Sequence, residues 1–114
     1  IPAIDASLDE IATEVHRRGG LCIPAHIDRV VNSIYSQLGF LPETPFDALE
    51  VTRLPPPLDI DRYTLICDSD AHYLADVGRR TFTFDSDIDD KTPPSAVFAE
   101  LRRVLNDNKV TLHL

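Results

Sequence analysis

The sequence Asp-Ser-Asp-Ala-His at residues 68–72, with Pro-Ala-His-Ile-Asp-Arg at residues 24–29, decides how the fold of this chain is interpreted. Each stretch follows a short apolar run of the kind that forms a β-strand. Each therefore places polar side chains at the carboxyl end of a strand, where α/β folds with parallel strands carry their chemistry. The sequence predicts an α/β fold with a functional site at that edge of the sheet.

Three residues in these stretches are candidate metal ligands. Asp70 and His72 stand two positions apart, so on an extended segment their side chains point to the same side. His26 follows the other apolar run. Carboxylate oxygen and imidazole nitrogen together suit Zn²⁺, Mn²⁺ or iron, and we predict that all three residues bind such divalent ions. An Asp-x-His pair alone is also compatible with a polar loop that holds a capping Asp and a surface His.

The wider pattern resembles the polymerase and histidinol phosphatase (PHP) superfamily. The stretches that carry the resemblance are residues 19–29, 36–40, 47–51 and 69–72, within a region from about Ile11 to Phe84. The pairing of Pro-Ala-His-x-Asp-Arg with Ser-Asp-Ala-His is what makes it specific. The resemblance implies part of a metal-dependent phosphoesterase, in which two or three metal ions activate water for the hydrolysis of a phosphoester.

The resemblance also implies a fold and a ligand set. His26 matches a lone late His of the family, and Asp70 and His72 match its final Asp-x-His, whereas the early His-x-His has no counterpart among the four histidines. We therefore interpret residues 1–114 as the carboxyl-terminal part of a PHP domain: half of a distorted, TIM-like (β/α)₇ barrel, a fragment without the amino-terminal motifs. Such a fragment is expected to be inactive alone. A non-catalytic interaction or regulatory module derived from a PHP domain is the alternative, and no catalytic residue is assigned.

Four further polar residues lie in the same motifs. Arg29 offers a planar fork of donors that suits the phosphate of a substrate, although a surface pair with Asp28 is an equal alternative. Asp68 either orients the imidazole of His72 or stabilises a turn. Glu50 lies in a run that reads as buried, and the sequence assigns it no role.

Composition limits the partners. The chain has 11 basic and 19 acidic residues, a net charge of −8, so we expect no non-specific binding to nucleic-acid phosphates. Half a barrel leaves sheet edges open, which predicts association with a missing amino-terminal half or with a second copy as a homodimer. No apolar stretch approaches the ~20 residues of a membrane span, and Cys22 and Cys67 are expected to be free, buried thiols, so a cytoplasmic location is expected.

The local patterns predict the individual elements. Ser7 and Glu10 form a capping box that opens a helix, which Gly19 or Gly20 ends. A short second helix begins after Asn32 or Ser33 and ends at Gly39, and Thr92 with Pro93 opens the last helix. The predicted strands are residues 21–25, 48–52 and 64–67, all parallel, followed by residues 81–84 and 110–114; a stiff triproline connector occupies residues 55–57.

Overall fold

A parallel pair of short strands lies at the centre of the computed structural model, which describes residues 3–56 and 59–114. Strand β1 (Leu49–Glu50) pairs with β2 (Leu65–Ile66) in parallel, with Leu49 opposite Leu65. Both are shorter than the runs predicted from the sequence. Their carboxyl ends meet at one edge, as expected for strands that were predicted to be parallel.

The predicted first strand lies beside β1 on its other side, without regular strand geometry. The amides of Asp47 and Glu50 donate to the carbonyls of Cys22 and Pro24, and the amide of Ile27 donates to the carbonyl of Glu50. Three extended segments therefore run side by side in the same direction, and each leads into one of the polar motifs or to Glu50.

A second sheet is antiparallel. Strand β3 (Thr81–Thr83) pairs with β4 (Thr111–His113), with Phe82 opposite Leu112. The exposed threonines of β3 lie on either side of the half-buried Phe82, as expected for a strand with one face towards solvent. Strand β4 also contacts β2, which joins the two sheets.

The predicted half of a TIM-like (β/α)₇ barrel is wrong. A barrel requires a helix after each strand, so that the next strand joins the same sheet in parallel. Between β2 and β3 the chain instead contains only a short 3₁₀-helix (Leu74–Asp76), and β3 turns into a separate antiparallel pair. The described residues thus form two two-stranded sheets rather than one curved sheet.

The first two helices agree with their capping signals. Helix α1 (Leu8–Arg17) begins after Ser7, whose hydroxyl accepts from the Glu10 amide while the Glu10 carboxylate accepts from the Ser7 amide. Helix α2 (Ile34–Leu38) begins after Ser33 and ends at Gly39, which has a φ of 76°. Only glycine adopts that left-handed conformation without steric cost.

The last helix differs slightly from its prediction. Helix α3 (Pro94–Asn106) is preceded by Pro93, whereas the Thr92 hydroxyl bonds to Asp89 instead of capping the helix. Val104 and Leu105 are buried. Phe98 is 39% exposed and lies under the guanidinium of Arg102.

The core consists of two apolar clusters on opposite sides of β1. Leu49 and Val51 pack with Ile27 and Ile60 on one side, whereas Ala48 packs with Ile66 and Leu105 of α3 on the other. Because side chains alternate along a strand, Glu50 is on the same side as Ala48. A carboxylate therefore enters the interior at the carboxyl end of β1.

Two further expectations concern single segments. Pro55 and Pro56 of the triproline connector are described and follow a cis Leu54–Pro55 bond, whereas Pro57 lies outside the described residues. Within residues 3–56 and 59–114, no helix combines the length and the apolar character that a membrane crossing requires.

Candidate functional site

Glu50 is the buried centre of the candidate site. The residue is 5% exposed, and its Oε2 accepts a 2.8 Å hydrogen bond from the backbone amide of His26. Its other oxygen, Oε1, is buried and finds no hydrogen-bond partner among the described residues. Burial raises the pKa of Glu50, and the charges of Asp68 and Asp70 act in the same direction against the hydrogen bond from His26. A carboxylate in these surroundings favours either a proton or a nearby cation.

His26 lies against Glu50 in an unusual backbone conformation. Its φ is 31°, a region that residues with a Cβ rarely adopt. Its ring nitrogen Nδ1 is buried and, within the described part of the chain, has no partner. Backbone strain of this kind persists only where surrounding contacts impose it, and it clusters at functional sites.

Asp70 lies beside these residues and is paired with Arg29. The Nη2 atom of Arg29 donates to Asp70 Oδ2 at 2.6 Å, which joins the two polar motifs. Partial removal from water raises the pKa of Asp70, but the guanidinium of Arg29 and the rings of His72 and His26 outweigh it. The net pKa of Asp70 is lowered, so this group is ionised at neutral pH.

Asp68 stabilises a turn, which is one of the two roles left open for it. Its Oδ1 accepts from the amide of Asp70, whose φ is 46°. The backbone carbonyl of Asp68 accepts from Arg80 Nε, and the Ser69 hydroxyl accepts from the Gly78 amide. These contacts close the loop of residues 69–78 at its base.

His72 is held by its own loop rather than by Asp68. Its Nδ1 lies 2.9 Å from the carbonyl oxygen of Asp70. A carbonyl only accepts, so Nδ1 carries the proton and Nε2 of the neutral ring keeps its lone pair. Metal-binding histidines are commonly oriented in this way, by a backbone carbonyl on the other nitrogen.

The donor atoms fit a divalent cation in their chemistry but are not assembled as a complete ligand shell. In residues 3–56 and 59–114, no group of three or more His, Cys, Asp or Glu side chains is arranged to hold a metal ion. The ion pair with Arg29 uses Oδ2 of the Asp70 carboxylate. A metal bound through Oδ2 would therefore have to displace Arg29 from Asp70.

The structure excludes one of the two alternatives for Arg29, the surface pair with Asp28, and phosphate binding by Arg29 stays a prediction. The Asp28 carboxylate accepts from the amide and hydroxyl of Thr52 and from the amide of Arg53, so it does not form the surface pair with Arg29. Arg29 instead lines a cavity of about 410 Å³ together with Val30, Tyr35 and Arg53.

The remaining histidines and the cysteines lie elsewhere. His16 Nε2 contacts Asp47 Oδ2 at 2.7 Å, and His113 Nε2 contacts the Thr83 hydroxyl at 2.8 Å. Cys67 is buried as expected, whereas Cys22 is only partly buried. None of these residues is a candidate ligand.

Glu50 is the functional candidate to which the sequence assigned no role. A signal was present, because a lone carboxylate within the apolar run Ala-Leu-Glu-Val is rare unless it is paired. What the pattern could not indicate is that the His26 amide would occupy only one of its oxygens.

The comparisons do not identify a family. The chain matches no protein-family model, and curated proteins and solved structures give no significant match.

Proposed function

We propose that this chain contributes the ligands His26, Asp70 and His72 to the divalent-metal site of a phosphoester hydrolase. The observation that carries the proposal is the buried, unpartnered Nδ1 of His26, in a strained residue close enough to Asp70 for its charge to lower the Asp70 pKa. The free Nε2 of His72 supplies a second imidazole donor. The motif resemblance to the PHP superfamily supports the same chemistry.

The metal, when bound, would polarise the phosphate and lower the pKa of a bound water. Asp70 and the two histidines would hold it. Arg29, released from Asp70, would donate to phosphate oxygens, and its planar fork suits them. In this proposal Zn²⁺, Mn²⁺ or iron is the cofactor and a phosphoester is the substrate.

The chain alone is expected to turn over a phosphoester slowly or not at all. Three ligands shared by a multinuclear site leave each metal under-coordinated. Robust hydrolysis of a model phosphoester by the purified chain, abolished in Asp70→Ala, would contradict this expectation.

Metal-dependent binding of inorganic phosphate tests the proposal. With Zn²⁺ present, phosphorus NMR should show phosphate binding that a chelator reverses and that Asp70→Asn and Arg29→Gln abolish. Asp76→Asn is the matched control, since Asp76 lies in the same loop and pairs with Arg79. Phosphate binding that is unchanged by the chelator or by Asp70→Asn would refute the metal site.

A non-catalytic interaction module is the second candidate, favoured by exposed apolar side chains beside the site. Val30 is 87% exposed, and Tyr73 and Leu74 on the other loop are 77% and 91% exposed. Association with a second copy of the chain would cover them. Sedimentation of the wild type and of Leu74→Ser tests this: a concentration-dependent dimer that the substitution weakens supports it, and a monomer at high micromolar concentration opposes it.

A further inference from the structure

We propose that Glu50 is an additional ligand of the metal site, which binds through Oε1 the same cation that His26 binds through Nδ1. This inference rests on the proposed function, because it adds a ligand to the same site. It concerns a residue that neither the motif pattern nor the resemblance to the PHP superfamily assigns.

The first support is the unequal use of the two Glu50 oxygens. Oε2 accepts the His26 amide at 2.8 Å, whereas Oε1 is buried without a partner in a residue that is 5% exposed. Buried polar atoms are nearly always hydrogen-bonded, and leaving one unpaired costs about 1–3 kcal/mol. An atom of this kind needs a partner, which a bound cation would supply.

The second support is that the neighbouring His26 also has a buried polar atom without a hydrogen-bond partner in the part of the chain that the structure describes. His26 Nδ1 is also buried and unpartnered, and it belongs to the residue that donates to Glu50. The two atoms do not hydrogen-bond to each other. One cation bound to both would satisfy a carboxylate oxygen and an imidazole nitrogen that the fold leaves open.

The third support is the fixed position of both residues. Glu50 belongs to β1, whose register with β2 is set by the parallel pairing. His26 is held by the hydrogen bond from its backbone amide to the Glu50 carboxylate. The hydrogen bond from the Ile27 amide to the Glu50 carbonyl fixes the next residue. Ligands on rigid segments bind without a large ordering cost, which is how preorganised metal sites are built.

The chemistry of the pair indicates the class of cation. One imidazole nitrogen and one carboxylate oxygen suit Zn²⁺, Mn²⁺ or Fe²⁺, whereas Ca²⁺ and Mg²⁺ prefer oxygen ligands alone. Asp70, once separated from Arg29, would supply a further oxygen. We therefore expect the site to select a transition metal over Mg²⁺.

The test is calorimetric titration of Zn²⁺ into the metal-free wild type, Glu50→Gln, Asp70→Asn and the control Asp76→Asn. Glu50→Gln keeps an oxygen that accepts the His26 amide, so the loop should persist. We expect it to lower the Zn²⁺ affinity at least about tenfold, the scale of losing even an outer-shell partner of a metal site. Asp76→Asn should bind as the wild type does, and the imidazole resonances of His26 should shift on binding in the wild type.

The outcomes separate this inference from the proposed function. If Glu50→Gln binds Zn²⁺ as tightly as the wild type while Asp70→Asn does not, Glu50 is no ligand and the proposed metal site stands. If the wild type itself does not bind Zn²⁺, both are overturned. If Glu50→Gln does not fold, Glu50→Asp replaces it: it keeps the charge but shortens the reach, and unchanged affinity would overturn the inference.

Discussion

Two carboxylates are buried at the carboxyl end of the parallel segments, and they differ in how completely the fold satisfies them. Asp28 is 8% exposed and receives hydrogen bonds from three donors, the Thr52 amide and hydroxyl and the Arg53 amide. Glu50 is 5% exposed and receives one, from the His26 amide. The difference predicts that Asp28 contributes more to the stability of the fold, and the unpaired oxygen of Glu50 is the reason that we propose it as a metal ligand.

The largest effect should come from removing the satisfied carboxylate. Asp28→Ala leaves the amides of Thr52 and Arg53 without their acceptor and removes charge-assisted bonds. We expect a loss of about 3 kcal/mol in the free energy of unfolding, measured by urea denaturation. Asp85→Ala at an exposed position should stay within about 0.5 kcal/mol of the wild type. Equal effects of the two substitutions would remove the distinction between Asp28 and the surface acids.

Glu50→Gln should change the free energy of unfolding by a smaller amount and in the opposite direction, towards greater stability. Because burial raises its pKa in the folded chain, the folded state holds a proton that the unfolded state releases. The stabilisation of the folded state by this proton is complete at pH values below the pKa of Glu50 in the unfolded chain. It is lost as the pH rises through the pKa of Glu50 in the folded chain. Metal-free Glu50→Gln should therefore be more stable than the wild type at neutral pH.

The pH dependence of the stability difference between Glu50→Gln and the wild type is a sharper test than its value at one pH. The advantage of Glu50→Gln over the wild type should shrink as pH falls below the folded pKa of Glu50, and saturating Zn²⁺ should reverse it at neutral pH. Thermal unfolding of both proteins over this pH range, with and without metal, measures the difference. A stability difference that does not depend on pH would mean that the burial of ionised Glu50 does not destabilise the folded state.

The smallest effect should come from the Arg29–Asp70 pair. Arg29 and Asp70 are 39% and 23% exposed, so solvent screens their attraction and Arg29→Gln should cost no more than about 1 kcal/mol. The pKa of Asp70 should nevertheless rise, because the guanidinium is a main cause of its lowering. Carboxyl NMR titration measures this shift, and Arg17→Gln, on α1, serves as the control. An unchanged Asp70 pKa in Arg29→Gln would show that the two side chains are not paired in solution.

The sequence predicted the local structure better than the architecture. Capping chemistry is local, so the start of α1 followed from Ser7 and the end of α2 from Gly39. For the start of α2 the sequence offered Asn32 or Ser33, and Ser33 is the cap. The parallel order of the central segments also followed from the apolar runs. The half-barrel did not, because it came from the motif resemblance, whereas the local patterns placed no helix between residues 64–67 and 81–84, where the structure has only a short 3₁₀-helix.

The candidate site was predicted only in part, because local sequence patterns show which residues are present but not which distant residues meet. The chemistry-bearing motifs could be read along the chain, but hydrogen bonds between distant residues could not. The Arg29–Asp70 pair spans 41 positions and the Glu50–His26 contact spans 24. Which oxygen of a carboxylate remains free depends on such contacts, and therefore only the structure distinguishes Glu50 from Asp28.

Anomalous diffraction from a crystal grown with Zn²⁺ tests the central claim most directly. We expect a zinc peak bonded to His26 Nδ1 and Glu50 Oε1 at about 2.0–2.2 Å, with Asp70 turned away from Arg29. Asp28 should show no metal, since its oxygens are already used. Zinc bound only at the acidic residues 85–90, with Glu50 Oε1 still unpartnered, would contradict the account.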